Sequence, residues 1–164
     1  VLFVVLLGGK HPASKIEVHD VVFASGEQLQ DTYPQLARQW FGARKGLHVD
    51  AWMTVDGVDD YQVRLSDIQP GPDDPRLFFI NLGGYEPGEF GEAHRYLLVV
   101  ARDAAEAKRK GKAQAGAQWD KPHTDNLYDV DDCIPVDSVE GCYVQLLRGS
   151  HAGIGIFSDY LVLP

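Results

Sequence analysis

The sequence is poor in cysteine, in basic residues and in long apolar runs, and each shortage removes a class of function. Only two cysteines, Cys133 and Cys142, occur in 164 residues. They are too few for a disulfide framework and lack the CxxC spacing of redox or zinc motifs. They read as ordinary thiols of a reducing compartment, so a cytoplasmic location is expected. Lys and Arg total 15 against 24 Asp and Glu, a formal charge of -9. A nucleic-acid binder presents a basic face, because neutralising phosphates dominates its affinity. Here the net field repels polyanions. The one basic cluster, Lys108, Arg109, Lys110 and Lys112, reads as a solvated helix face. No nucleic-acid partner is expected. The apolar run Val1 to Leu7 is too short to span a bilayer, lacks a basic lead and runs into Gly8-Gly9. It reads as a buried strand, so no membrane partner is expected either.

Motifs that carry chemistry are also missing. There is no HxH or HExxH pattern, and neither Gly8-Gly9 nor Gly83-Gly84 opens a helix as a phosphate loop does. Both pairs read as turns needing positive φ. The run Asp125, Asp129, Asp131, Asp132 resembles a calcium loop, but Ile134 falls where an EF-hand needs glycine. Arg148 occupies the first glycine position of what would otherwise be GxSxG around Ser150. No nucleophile, catalytic residue or cofactor is read from the sequence, and the reading leans away from an enzyme.

What the chain does contain is a repeat. With a shift of 75, Leu2, Phe3, Leu7, Gly8, Gly9, Pro12, Glu17 and His19 fall on Leu77, Phe78, Leu82, Gly83, Gly84, Pro87, Glu92 and His94. The same shift places His48 and Asp50 on His123 and Asp125. Farther on, a shift of 81 aligns Val55, Asp56, Val58, Val63 and Leu65 with Val136, Asp137, Val139, Val144 and Leu146. A six-residue insertion within 126–135 reconciles the two shifts.

Each repeat reads as β-β-α-β-β. Short apolar runs end in Gly-Gly, and Val18 to Ala24 and His94 to Ala101 read as second strands. Ser25 with Gln28, and Asp103 with Glu106, have capping-box spacing. Pro34 is expected to break or kink the first helix. The second is expected over Ala104 to about Gln118. Asp50–Val55, Tyr61–Leu65, 127–134 and Tyr143–Leu147 follow as strands, and Ile154–Leu163 as an additional one. The fold class is α+β, a tandem duplication of a ββαββ unit. The order suits β-grasp-like rolls, a helix on a mixed sheet, packed together; a ferredoxin-like α/β sandwich is the alternative. The repeats span 1–68 and 76–164, and the Pro-rich segment 69–75 links them. Exposed strand edges leave a homodimer open.

The segment LFVVLLGGKHPASKIEVHDVVFASGEQLQDTYPQLARQWFG, followed by GLHVDAWMTVDGVDDYQV, resembles the bacterial domain-of-unknown-function family 1543. The resemblance rests on the Gly-Gly, Glu-x-His, Tyr-Pro-x-Leu and His-x-Asp segments. It implies a domain present once or twice per chain and brings no activity with it.

The candidate site residues are the repeated polar dyads. Glu17 and His19, His48 and Asp50, Glu92 and His94, and His123 and Asp125 each pair a carboxylate with an imidazole two residues away. On a strand such residues project from one face. The carboxylate can orient the imidazole as a base or metal ligand, or simply pin a turn. In a β-grasp the second and third strands lie apart, so the dyads of one repeat would meet only through loops or across an interface. Trp40, Trp52, Tyr33 and Trp119 are read as packing rather than as a groove lining. Three functions stay open. The preferred one is a non-catalytic small-molecule or protein-binding module. The others are a metal-dependent hydrolase using the repeated dyads, and a purely structural or assembly protein.

Overall fold

The computed structural model describes residues 1–118 and 128–164. In chain order the elements are β1 (Leu2–Gly9), β2 (Val18–Ser25), a 3-10 turn (Leu29–Thr32), α1 (Tyr33–Gln39), β3 (His48–Val55), β4 (Gly57–Val58), β5 (Tyr61–Ser66), β6 (Arg76–Gly84), β7 (Ala93–Ala101), α2 (Ala104–Gln118), β8 (Asp129–Pro135), β9 (Ser138–Val139), β10 (Cys142–Arg148) and β11 (Ile154–Val162). They make an α+β protein rich in sheet. Among the described residues, no helix is long and apolar enough to cross a membrane.

The chain divides into two compact units, residues 1–69 with 138–164, and residues 70–137. In the first, β1 lies between β2 and β3, with β11 on the outer side of β3. Phe3, Val5 and Leu7 alternate along β1 and meet Val22, Ala24, Leu29, Leu36 and Trp40 in one core. That core lies on the α1 side of the sheet. Leu36 is fully buried and contributes about 2 kcal/mol by leaving water. Pro34 does not break this helix. It stands in the first turn of α1, after the 3-10 turn, where its missing N–H has no partner to lose. A second sheet in the same unit runs β4-β5-β10-β9.

In the second unit, β6 lies between β7 and β8, and α2 packs over all three. Phe78, Ile80 and Leu82 face Val99, Ala101, Ala107 and Ala115. Ala107, Gly111 and Ala115 recur at every fourth position and make a ridge of small residues. A Cβ on Gly111 would stand 3.0 Å from Ile80, so that ridge is what lets the helix lie close to β6.

Two further expectations change. Every strand pairing among the described residues is antiparallel, not the mixed sheet of a β-grasp. The crossover β2-α1-β3 passes over β1 and leaves β2 and β3 on its two sides. Gly8, Gly9, Gly83 and Gly84 are not turns but the last residues of β1 and β6. None of them has positive φ, a feature that falls at Gly46, Gly88, Gly91, Gly141 and Gly153. In the first unit β10 pairs with β5 on one side and with β9 on the other. The compact units thus partition the chain by contact, whereas the boundaries 1–68, 69–75 and 76–164 partition it by sequence similarity.

Candidate functional site

The ends of β1, β2 and β3 set the site. Gly8 is directly opposite His19 on β2 and His48 on β3, and residues directly opposite in a sheet share a face. This face is the one away from α1. Glu17, two residues before His19, joins them there. Between Leu6 and Leu7 the register with β3 slips, so that Asp50 has no partner on β1. Such a bulge re-aims a side chain, and Asp50 turns toward His48.

The four side chains meet. His19 Nε2 lies 3.1 Å from Glu17 Oε1 and 3.0 Å from Asp50 Oδ2. His48 Nε2 lies 3.3 Å from Glu17 Oε1 and 3.3 Å from Asp50 Oδ1. The expectation that these dyads reach one another only through loops or across an interface is overturned. Only β1 separates them, and at Gly8 it offers no side chain. A Cβ on Gly8 would stand 2.5 Å from His48 Nε2, 2.6 Å from Asp50 Oδ2 and 3.1 Å from Glu17 Oε1. Gly8 is therefore glycine because polar groups occupy the space beside it. Gly9 serves an aromatic ring instead, since its Cβ would meet Trp40 at 2.8 Å.

His48 differs from the other three. Its side chain is 2% exposed, against 44% for Glu17, 47% for His19 and 27% for Asp50. Nδ1 lies 2.8 Å from the Gly46 carbonyl, which only accepts, so Nδ1 donates. Nε2 is buried and has no hydrogen-bond partner among the described residues. Tyr160, carried on β11, packs its ring against the imidazole at 4.2 Å between centroids. It sits in a second register slip between Ser158 and Leu161.

The second unit repeats this layout with different side chains. Gly83 is directly opposite His94 on β7 and Asp129 on β8. The register slips between Asn81 and Leu82, leaving Asp131 without a partner on β6. His94 lies 3.9 Å from Glu92 and 3.5 Å from Asp131, and 3.1 Å from the Asn81 side-chain oxygen. Asp129 points to Lys112 at 2.8 Å. A Cβ on Gly83 would meet Asp131 at 2.1 Å and Glu92 at 2.4 Å, and one on Gly84 would meet the Tyr128 ring at 2.2 Å. His123 and Asp125, matched to His48 and Asp50 by the 75-residue shift, lie outside the described residues, as does Trp119. The register instead puts Asp129 where His48 stands and Asp131 where Asp50 stands, a shift of 81. Sequence reasoning missed Asp131. The signal was present, because the 81-residue shift already governed the strands that follow.

Donor atoms of Glu17, His48 and Asp50 all lie within 4.8 Å of one another, as do those of Glu92, His94 and Asp131. Among the aromatic residues, Trp40 is buried in the first core and Trp52 stacks on Phe157 at 5.3 Å.

The family model described as Domain of Unknown Function (DUF1543) matches residues 14–65, a segment containing Glu17, His19, His48 and Asp50. Along nearly its whole length the chain is similar to the crystal structure of a protein, Il1583, from Idiomarina loihiensis. The two are 32% identical with a TM-score of 0.74, over 99% of this chain and 97% of that one. The curated proteins offer no match. From the family model and this full-length likeness together, the chain belongs to the family described as Domain of Unknown Function (DUF1543).

Proposed function

We propose that this chain is a tandem duplication of one ββαββ unit that works as a non-catalytic binding module. The cluster around Gly8 is its ligand site, and the cluster around Gly83 is a diverged copy. Several observations support the duplication. Both the β2-β1-β3 and the β7-β6-β8 strands place glycine opposite a histidine of the second strand and slip register at positions 75 residues apart. Both small hairpins turn on two residues, the first with positive φ, Asp59 in one and Glu140 in the other. These lie 81 residues apart. The pairing of β5 with β10 maps onto itself when the repeats are exchanged by that shift: Val63 faces Leu146 as Leu65 faces Val144.

The single observation that carries the site is the orphaned nitrogen of His48. A cluster that served only to pin a turn would satisfy its buried groups, since leaving one unpaired costs about 1–3 kcal/mol. Here the most buried group is the unsatisfied one, and the more exposed carboxylates crowd toward it. Two carboxylates gathered about a buried ring nitrogen favour a ligand of positive charge.

The test is a melting-temperature screen of the full chain against zinc, calcium, spermidine and guanidinium, beside a Glu17→Gln, Asp50→Asn double variant. At least one cation should raise the melting temperature of the native chain and not that of the variant. Equal response, or none, in both proteins would overturn the reading. The hydrolase reading draws on one feature, the half-exposed Glu17 and His19 beside His48, which leave a side open to water. Release of p-nitrophenol from p-nitrophenyl acetate by the native chain, lost on Glu17→Gln, would favour that reading instead.

A further inference from the structure

We infer that the cluster around Gly8 is a mononuclear site for a divalent first-row transition metal of the zinc type, held by Glu17, His19, His48 and Asp50. This inference rests on the binding-site reading above and names its ligand.

The tautomer of His48 comes first. Because Nδ1 donates to the Gly46 carbonyl, a neutral ring carries its lone pair on Nε2. A metal-ligating histidine is held in just this way, with its other ring nitrogen fixed by a backbone carbonyl. Gly46 stands at φ +81, in the left-handed region that suits glycine, and so helps to set the carbonyl that fixes the ring.

The second argument is mutual repulsion. The Nε2 lone pair lies 3.3 Å from two carboxylate oxygens of different residues, and none of these contacts is a hydrogen bond. Gathered lone pairs of this kind repel one another, and a cation placed among them relieves that repulsion at all three at once.

Spacing is the third. An ion bonded tetrahedrally at about 2.0–2.1 Å sets its donors about 3.3 Å apart. Glu17 Oε1 lies 3.1 and 3.3 Å from the two imidazoles, and Asp50 offers one oxygen to each, at 3.0 and 3.3 Å. One donor atom each of Glu17, His48 and Asp50 lies within 4.8 Å of the others, and His19 joins that set through its contacts with both carboxylates. The room beside Gly8, which any larger residue would fill, is bordered by three of the donor atoms.

Donor type decides the class of metal. Imidazole suits zinc, iron, copper and nickel, whereas calcium and magnesium take oxygen ligands. Two nitrogens and two carboxylates therefore select a transition ion. His48 anchors it from the buried side, and Glu17 and His19 close it from the side facing water.

The experiment titrates zinc and cobalt(II) into chelator-treated full chain, read by calorimetry and by cobalt absorption in the visible range. One ion per chain should bind at this site. His48→Ala should weaken it at least a hundredfold and His19→Ala at least tenfold, and a tenfold excess of calcium should not displace it. His19 is half exposed, so its variant keeps the assay interpretable if His48→Ala fails to fold. The inference is overturned if the folded native chain takes up neither metal at micromolar concentration, or if His19→Ala binds as the native chain does. If metals fail while another cation still stabilises the native chain and not the Glu17→Gln, Asp50→Asn variant, the metal assignment falls and the binding site stands. If no cation does so, both fall.

Discussion

The two units carry the same strand layout around a glycine, yet among the described residues only one of them encloses a buried imidazole. In the first, Gly8 sits between His19 and His48. In the second, Gly83 sits between His94 and Asp129. The glycine, the register slip and the bulged aspartate are common to both. Without an imidazole opposite Gly83, Asp129 turns to Lys112 and His94 takes Asn81 as a partner. Glu92, His94 and Asp131 are then about a third exposed, so water reaches all three. Backbone geometry makes the place, and in the proposed reading one buried nitrogen makes it a site.

That comparison can be broken most forcefully at the glycines. Gly8→Ala drives a methyl group against an imidazole that is buried and tied to Gly46, and should cost about 3 kcal/mol, at the upper end for overpacking. Gly83→Ala meets the ends of two exposed carboxylates that are free to swing away, and should cost about 1 kcal/mol. Urea unfolding of both variants checks the difference, and equal losses would mean that the two places are alike. Next come the residues opposite the glycines. Removing the packed ring in His48→Ala should lose about 2 kcal/mol. Asp129→Ala, an exposed change, should stay within about 0.5 kcal/mol.

Asp129→His sharpens the comparison from the other side. It restores an imidazole opposite Gly83, beside Asp131 and Glu92. Zinc uptake should rise from one ion per chain toward two, with the second bound at least tenfold more weakly because its ligands remain exposed. Uptake unchanged at one would show that burial, and not residue type alone, is required.

The smallest effects are expected at the helix starts. Asp31 accepts the backbone N–H of Gln28 and of Glu27 at 3.0 and 3.1 Å, and the Gln28 bond holds its carboxyl below the usual range. Glu106 accepts the Arg102 N–H at 2.9 Å and is lowered first by that bond and then by the Arg102 guanidinium. A carboxylate lowered in the folded state adds stability above its unfolded pKa, about 4. That stability is lost as pH falls through the folded value. Asp31→Asn and Glu106→Gln should each reduce the melting temperature slightly at pH 7 and not at all near pH 2.

Much of this was legible in the sequence, and the failures have physical reasons. The α2 helix is read over its observed span because small and long-chain helix formers outweigh its two glycines and no proline interrupts it. The dyads Glu17-His19 and His48-Asp50 were visible through their period of two. Gly8 and Gly83 were read as turns because a glycine pair after an apolar run carries that meaning in isolation. Only the neighbouring strands reveal that the missing side chain makes room for other groups. His123 was matched to His48 because the 75-residue shift and the 81-residue shift overlap there, and only strand register separates them. The pairing of β5 with β10 joins segments more than 70 residues apart, a contact no local pattern announces.

The most direct measurement is an anomalous-difference map from crystals of the full chain grown with zinc, collected at the zinc edge. A single strong peak is predicted about 2.0–2.1 Å from His48 Nε2, with no peak between His94 and Asp131. A map showing zinc only at His94, or none near His48 in well-ordered crystals, would contradict the claim that the buried imidazole makes the site.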